Sequence, residues 1–121
     1  MEGVAFAIAN CLDAVREIAQ ARNEELHVIR TGQSGGSQLA VWRQIITDAV
    51  DHAIEVVDVD EPGCLGAALV AGVGTGIYED ISRACQRAVR VTGRSCPDPE
   101  IAARYREQRV VFNDVYRALE A

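Results

Sequence analysis

The chain has 121 residues, the length of one domain, and can bury a single core without disulfide or metal support. Hydrophobic residues at 49% and charged residues at 25% exclude a disordered tail, and no apolar run has the length or flanks of a membrane span or signal peptide. A soluble cytoplasmic domain is therefore expected, and eighteen acidic against twelve basic residues leave a formal charge of −6, which argues against nucleic acid or an anionic membrane as partner.

Residues 3–21 place Val4, Ile8, Cys11, Leu12, Val15, Ile18 and Ala19 at steps of three and four, with Asp13, Arg16 and Glu17 opposite, so an amphipathic helix is predicted. A polar break at residues 22–25 precedes a short branched run, 26–31, that reads as a strand. Glycines follow at once, and from Gln38 the period turns helical, with Leu39, Trp42, Ile45, Ile46, Ala49 and Val50 on one side. Ile54, Val56, Val57 and Val59 predict a second strand over 53–59.

The acidic turn at 58–63 opens a helix of small residues over 64–71, expected to lie flat against the sheet or under a ligand, and the glycines of 72–76 are expected to stop it. A short helix is predicted over 79–88 and extended chain over 89–92. Asp98 reads as an N-cap with Pro99 at the first helical position and Glu100 favourable to the dipole. Ile101, Tyr105, Gln108, Phe112, Val115, Tyr116 and Leu119 then give a helical stripe. Strands separated by helices point to an α/β layer, a small sheet with helices packed on it. Two strands make a poor sheet, which suggests a part of something larger.

Cys11, Cys64, Cys85 and Cys96 form no C-x-x-C pair and have no histidine at metal-ligand spacing, so they read as reduced, mostly buried thiols. Asp48, Asp58, Asp60 and Glu61 read as helix-face and turn carboxylates.

The chemistry-bearing stretch is Ile29 to Gln44, "IRTGQSGGSQLAVWRQ". Gly32-Gln33-Ser34-Gly35-Gly36 satisfies G-x-S-x-G between a strand and a helix, but a serine hydrolase needs an acid and then a histidine downstream, and only His52 remains. A phosphate-binding P-loop needs a lysine, and all twelve basic residues here are arginine. The glycines of 72–76 have the wrong spacing for a dinucleotide fingerprint. What survives is a strand-to-helix turn whose backbone amides, with the next helix N-terminus, suit an anion, or whose bare main chain suits a flat ring. A tight turn needing only positive φ stays open as the alternative.

The longer stretch "GGSQLAVWRQIITDAVDHAIEVVDVDEPGCLGAALVAGVGTGIYED" resembles the C-terminal half of the FGGY carbohydrate kinases, xylulokinase-like members above all. The correspondence runs through Ser34-Gly35-Gly36-Ser37, Trp42-Arg43-Gln44, Thr47-Asp48, Ala53-Ile54-Glu55-Val56 and the Glu61 to Ala68 helix start. "EGVAFAIANCLDAV" is similar to the helix preceding the family's adenosine motif, and "CPDPEIAARYREQRVVFNDVYRAL" to its closing helix. Ser34, Ser37, Gln38 and Leu39 stand where the family has glycine, alanine, a basic residue and serine.

The resemblance implies an actin-like ATPase (ribonuclease H-like) lobe fragment. It implies that residues 1–121 form the C-terminal, nucleotide-binding portion of an enzyme that transfers the γ-phosphoryl of MgATP to a sugar hydroxyl, a pentulose such as xylulose. Ser34, Gly35, Gly36, Ser37 and Leu39 are then cofactor-binding, against the adenosine of ATP or ADP. The sugar-binding lobe and its catalytic aspartate lie outside these residues, so the isolated chain is expected to be inactive. The rival expectation is a non-catalytic binding or oligomerising module, a homodimer through an exposed docking face that includes Val4, Ile8 and Leu12.

Overall fold

Small residues at the right spacing decide where the first helix sits. In α1 (Glu2–Ala21), Ala5, Phe6 and Ala9 are buried, and the two alanines let the backbone come close to its neighbour. That neighbour is α2 (Ala40–Val50), whose inner face carries Ala49 and Val50. The computed structural model describes residues 1–120, the side chains of Tyr116 and Glu120 excepted.

Between these helices the chain runs through β1 (Ile29–Thr31), shorter than the predicted strand, and a 3-10 turn at Gly35–Gln38. After α2, Asp51 closes the helix in the left-handed conformation (φ 48°) and β2 (Ile54–Val57) begins. The two strands pair in parallel, Ile29 against Ile54 and Thr31 against Val56, with α2 as the crossover. Ile54 meets Ala9 and Val50 on the helix-covered face, joined by Leu12, Ile29 and Ile46. Arg30 and Glu55, one residue along each strand, face the other way and form an ion pair at 3.0 Å.

Two helices follow, α3 (Pro62–Gly74) and α4 (Ile81–Ala88), the latter capped by the Asp80 carboxylate on the Arg83 N–H. Helix α3 stops within residues 72–76 as expected, with Gly74 its last residue and Thr75 its C-cap. Gly72 is helical and buried, and a Cβ on it would sit 2.7 Å from the Tyr78 ring, so this glycine makes room for an aromatic instead of ending the helix. The turn comes at Gly76 (φ 78°), where the Ile77 and Tyr78 N–H groups donate back to the Gly72 carbonyl. Contrary to expectation, α3 does not lie flat on the sheet: Leu69 and Gly72 are buried, while Gly63, Cys64, Gly66, Ala67 and Ala68 are exposed.

A third strand, β3 (Val91–Ser95), pairs antiparallel with β2, so the sheet has the order β1-β2-β3. It starts and ends later than the predicted extended segment, because pairing with β2 recruits Gly93, Arg94 and Ser95, residues of low strand preference. The last helix, α5 (Pro99–Glu120), begins as predicted, with the Asp98 carboxylate accepting from the N–H groups of Glu100 (2.9 Å) and Ile101 (3.3 Å). Tyr105 and Phe112 of α5 pack with Trp42 and Ile45 around Phe6. Val115 and Leu119 are exposed, so the stripe loses its cover towards the C-terminus, and Tyr116 lies outside the described side chains.

The cysteines are free thiols, as expected, but they are not buried: Cys11, Cys64 and Cys96 are exposed and Cys85 half-buried. The three exposed ones fall on open faces of α1 and α3 and in the loop before α5, and Cys85 lies in α4.

Candidate functional site

Thr31 ends β1, and specific contacts at Gly32, Gln33, Ser37 and Gln38 set the geometry of the turn that follows. A Cβ on Gly32 would lie 2.6 Å from the Val59 carbonyl oxygen and 2.7 Å from Cγ of Pro62, so only glycine lets the turn pass the start of α3. The neighbouring Gln33 N–H donates to that same Val59 carbonyl at 2.9 Å. Ser34 is extended (φ −118°, ψ 152°) and leads into the 3-10 turn, where Ser37 N–H donates to Ser34 and Leu39 N–H to Gly36.

The two central glycines differ. Gly35 takes φ 55°, a left-handed conformation that favours glycine, and has no atom within 4 Å of the place a Cβ would occupy. Gly36 is exposed but backed by an indole: a Cβ there would be 3.1 Å from Cδ1 and 3.2 Å from Nε1 of Trp42. Ser37 turns its hydroxyl inward, within hydrogen-bonding distance of the carbonyls of Gly32 (2.8 Å) and Ser34 (2.5 Å). Leu39 is extended (φ −78°, ψ 116°) and 59% exposed, an apolar side chain held at the surface. The structure therefore brings Ser34, Gly35, Gly36, Ser37 and Leu39 into one continuous turn, with bare main chain at Gly35 and an aromatic floor beneath Gly36.

The hydrolase reading fails on geometry too. His52 follows the far end of α2, whose 11 residues span about 16 Å, out of hydrogen-bonding reach of Ser34. Among the described residues no group of three or more His, Cys, Asp and Glu side chains is placed to hold a metal ion.

Three residues of α2, Arg43, Gln44 and Asp48, carry the local architecture through contacts that the sequence pattern did not show. The Arg43 guanidinium donates through Nη1 to the carbonyls of Ser37 (2.6 Å) and Gln38 (2.9 Å). Gln44 donates to Asp48 Oδ1 (2.8 Å) and to the Cys96 carbonyl (2.9 Å), and accepts from the Ser95 hydroxyl. Asp48 is not a solvated helix-face carboxylate: it is 5% exposed, and Oδ1 also accepts from the Asp98 N–H at 2.8 Å. This network ties the helix behind the glycine turn to the β3–α5 loop. Asp58, Asp60 and Glu61 are exposed turn carboxylates, as expected. Burial, followed by the charges of Glu2 and Asp48, pushes the Tyr105 phenol above its ordinary pKa.

Beside α2 a polar groove of about 730 Å³ runs to β3, lined by Gln38, Arg43, Gln44, Thr92 and Arg94 among others; Gly35 and Gly36 do not line it. On α1, Val4 and Ile8 are exposed as expected of a docking face, whereas Leu12 is half-buried against Ala9 and Ile54. No helix among the described residues is long and apolar enough to cross a membrane.

Comparison with known proteins gives a consistent result. The C-terminal domain of the FGGY family of carbohydrate kinases matches residues 1–75. The L-xylulose/3-keto-L-gulonate kinase of Escherichia coli K12 is 35% identical over 120 residues, which is 98% of this chain and 23% of that kinase. An autoinducer-2 kinase of Escherichia coli K12 is 35% identical over 83 residues, 69% of this chain and 16% of the relative. Among solved structures, xylulose kinase from Rhodospirillum rubrum superposes with a TM-score of 0.76 at 24% identity, over 98% of this chain and 23% of the other. Gluconate kinase from Lactobacillus acidophilus gives 0.78 at 21% identity, over 99% and 23%. The chain thus spans less than a quarter of the length of these relatives.

Proposed function

Because this chain belongs to the FGGY family of carbohydrate kinases and has part of their actin-like ATPase fold, we propose that it supplies the adenosine side of an ATP site. Residues 1–121 are, in this reading, the C-terminal nucleotide-binding portion of a cytoplasmic enzyme that transfers the γ-phosphoryl of ATP to a sugar hydroxyl. A pentulose such as xylulose is the proposed acceptor, in keeping with the kinases it is similar to.

The observation that carries the reading is the open main chain at Gly35, next to Gly36 on its indole backing. A purine is flat and gains most where no side chain keeps it from the backbone, and the left-handed Gly35 with nothing above it offers such a surface. The departures from the family pattern fit around it. Ser37 adds a hydroxyl but spends it on carbonyls inside the turn, and Leu39 adds apolar area at the surface where a base or ribose can rest. Ser34, Gly35, Gly36, Ser37 and Leu39 are accordingly assigned to nucleotide binding.

Phosphoryl transfer also needs a grip on the β- and γ-phosphates, magnesium and a residue to receive the acceptor proton. The described residues do not fit magnesium, since the turn offers amides and hydroxyls but no clustered carboxylates, and Asp48 is already engaged in its brace. The ion is best placed with the nucleotide's phosphates and the sugar with a second lobe, and the 121 residues alone are expected to give no turnover.

The test is ATP-dependent phosphorylation of a panel of pentuloses, other ketoses and polyols by the full-length polypeptide carrying this segment. Turnover of a pentulose is expected; no turnover with any ketose or polyol would remove the kinase assignment.

The exposed Val4, Ile8, Val15 and Ile18 of α1 and Val110, Val111 and Val115 of α5 favour a second reading, an assembly module that pairs with another copy. Light scattering coupled to size-exclusion chromatography separates the two. The kinase reading expects a monomer whose melting temperature rises with ADP; a stable dimer indifferent to ADP supports the assembly reading.

A further inference from the structure

We propose that Arg43 is a positioning residue which holds open the break between the glycine turn and α2, and thereby sets the affinity of the turn for nucleotide. The second half of this statement rests on the nucleotide reading above; the first half does not.

The break itself needs an explanation. The 3-10 turn ends at Gln38 and α2 begins at Ala40, with Leu39 extended between them. Had the helix run on without interruption, the carbonyls of Ser37 and Gln38 would accept from the N–H groups of Val41 and Trp42, four residues ahead. Here the backbone ladder into α2 starts later, with Arg43 N–H on the Leu39 carbonyl at 3.0 Å. The two carbonyls left by the break are met by one cation: Arg43 Nη1 lies 2.6 Å from Ser37 O and 2.9 Å from Gln38 O. Arg43 is half-buried, and its charge-assisted bond to the Ser37 carbonyl is partly shielded from water while that to the Gln38 carbonyl is exposed.

The consequences reach the glycines in one step. Ser37, whose carbonyl Arg43 holds, is the residue whose hydroxyl and N–H close the turn on Gly32 and Ser34. Gln38, the other residue held, donates its side-chain amide to the Gln33 carbonyl at 3.0 Å. Gly35 and Gly36 lie between those anchors, and Trp42, the neighbour of Arg43 on α2, backs Gly36. Arg43 therefore acts on the shape of the turn through main-chain carbonyls and is not itself assigned a contact with ligand.

Trp42 is the only tryptophan of the chain, so its fluorescence reports on the junction of this turn with the helix core, and the melting temperature separates a change at the turn from a loosened core. The experiment compares the wild-type chain with Arg43→Gln and Arg43→Lys, reading Trp42 emission, hydrogen exchange at the Ser37 and Leu39 amides, ADP affinity, and the melting temperature as a control on global folding. Arg43→Gln is expected to speed exchange at both amides and weaken ADP, each by about tenfold, as the loss of charge-assisted hydrogen bonds implies. Its Trp42 emission should move to longer wavelength, and Arg43→Lys should recover part of each change. Unchanged exchange and emission in Arg43→Gln would overturn the proposal. If the wild-type chain binds no ADP, the nucleotide reading fails, while exchange and emission still decide whether Arg43 holds the break. Should Arg43→Gln not fold, Arg43→Met, which keeps the aliphatic stem and removes the donors, is read in its place, and wild-type exchange and emission there would count against the proposal.

Discussion

Phe6→Ala is expected to lower the stability of this chain by about 3–5 kcal/mol, a large part of what a domain of this size possesses. Phe6 is 6% exposed and joins three helices: it meets Tyr105 edge to face at 5.5 Å between ring centroids and Phe112 at 5.7 Å, with Ala49 of α2 in the same cluster. Removing the ring deletes aromatic contacts from both α1 and α5 and leaves a hole that the small neighbours Ala5 and Ala49 cannot fill. Urea denaturation followed by circular dichroism measures it. A loss below about 1 kcal/mol would mean that the α1–α2–α5 cluster is not the core of the fold.

The second large effect is expected at Gly32, where alanine should cost about 1–3 kcal/mol and distort the turn at the same time. The added Cβ would stand 2.6 Å from a backbone oxygen, that of Val59, and 2.7 Å from the ring of Pro62, neither of which is the end of a flexible side chain. Relief requires β1 to part from the start of α3, breaking the Gln33–Val59 hydrogen bond. Gly66→Ala is the control: nothing lies within 4 Å of its added Cβ, and alanine inside a helix should stabilise by up to about 1 kcal/mol. Equal melting temperatures for the two variants would contradict the packing described for the turn.

Those two sites also show what could be read from the sequence and what could not. The α1 periodicity, the strand-helix-strand order around α2 and the Asp98-Pro99 helix start are local signals, and they predicted the elements with small errors at the ends. The buried face of α1 was misread: Val4, Ile8, Cys11, Val15 and Ile18 of the predicted stripe are exposed, and Ala5, Phe6 and Ala9 are buried because α2 and α5 pack on that side. The glycines of 72–76 stop α3 as expected, but the reason Gly72 itself is glycine, the Tyr78 ring, is a contact made by the turn that follows the helix and left no local signal. Likewise β3 was only partly legible, since Gly93, Arg94 and Ser95 become strand through pairing with β2. Asp48 looked like a surface acid because its partner, the Asp98 N–H, lies fifty positions away, beyond any periodicity. The exposed cysteines follow the same rule in reverse: thiols usually bury, but these fall on faces left uncovered in this chain.

The candidate site was legible in a different way. Glycine spacing alone left a nucleotide, a nucleophile and a plain turn in competition, and the resemblance over the following helix and strand decided the family. What neither spacing nor resemblance revealed is how the turn is held: the inward hydroxyl of Ser37 and the reach of Arg43 back across the break depend on the extended Leu39 between two helical segments. A sequence pattern records that residues are near one another, not that the helix between them is interrupted.

The central claim is that Gly35 and Gly36 present bare main chain to a purine nucleotide, and amide chemical shifts test it most directly. Titrating ADP into the 15N-labelled chain should move the Gly35 and Gly36 signals first and furthest, with Leu39 beside them and the β3 amides nearly still. If both glycine signals stay in place at millimolar ADP while the chain remains folded, the turn is a structural feature only and the nucleotide site must be sought elsewhere.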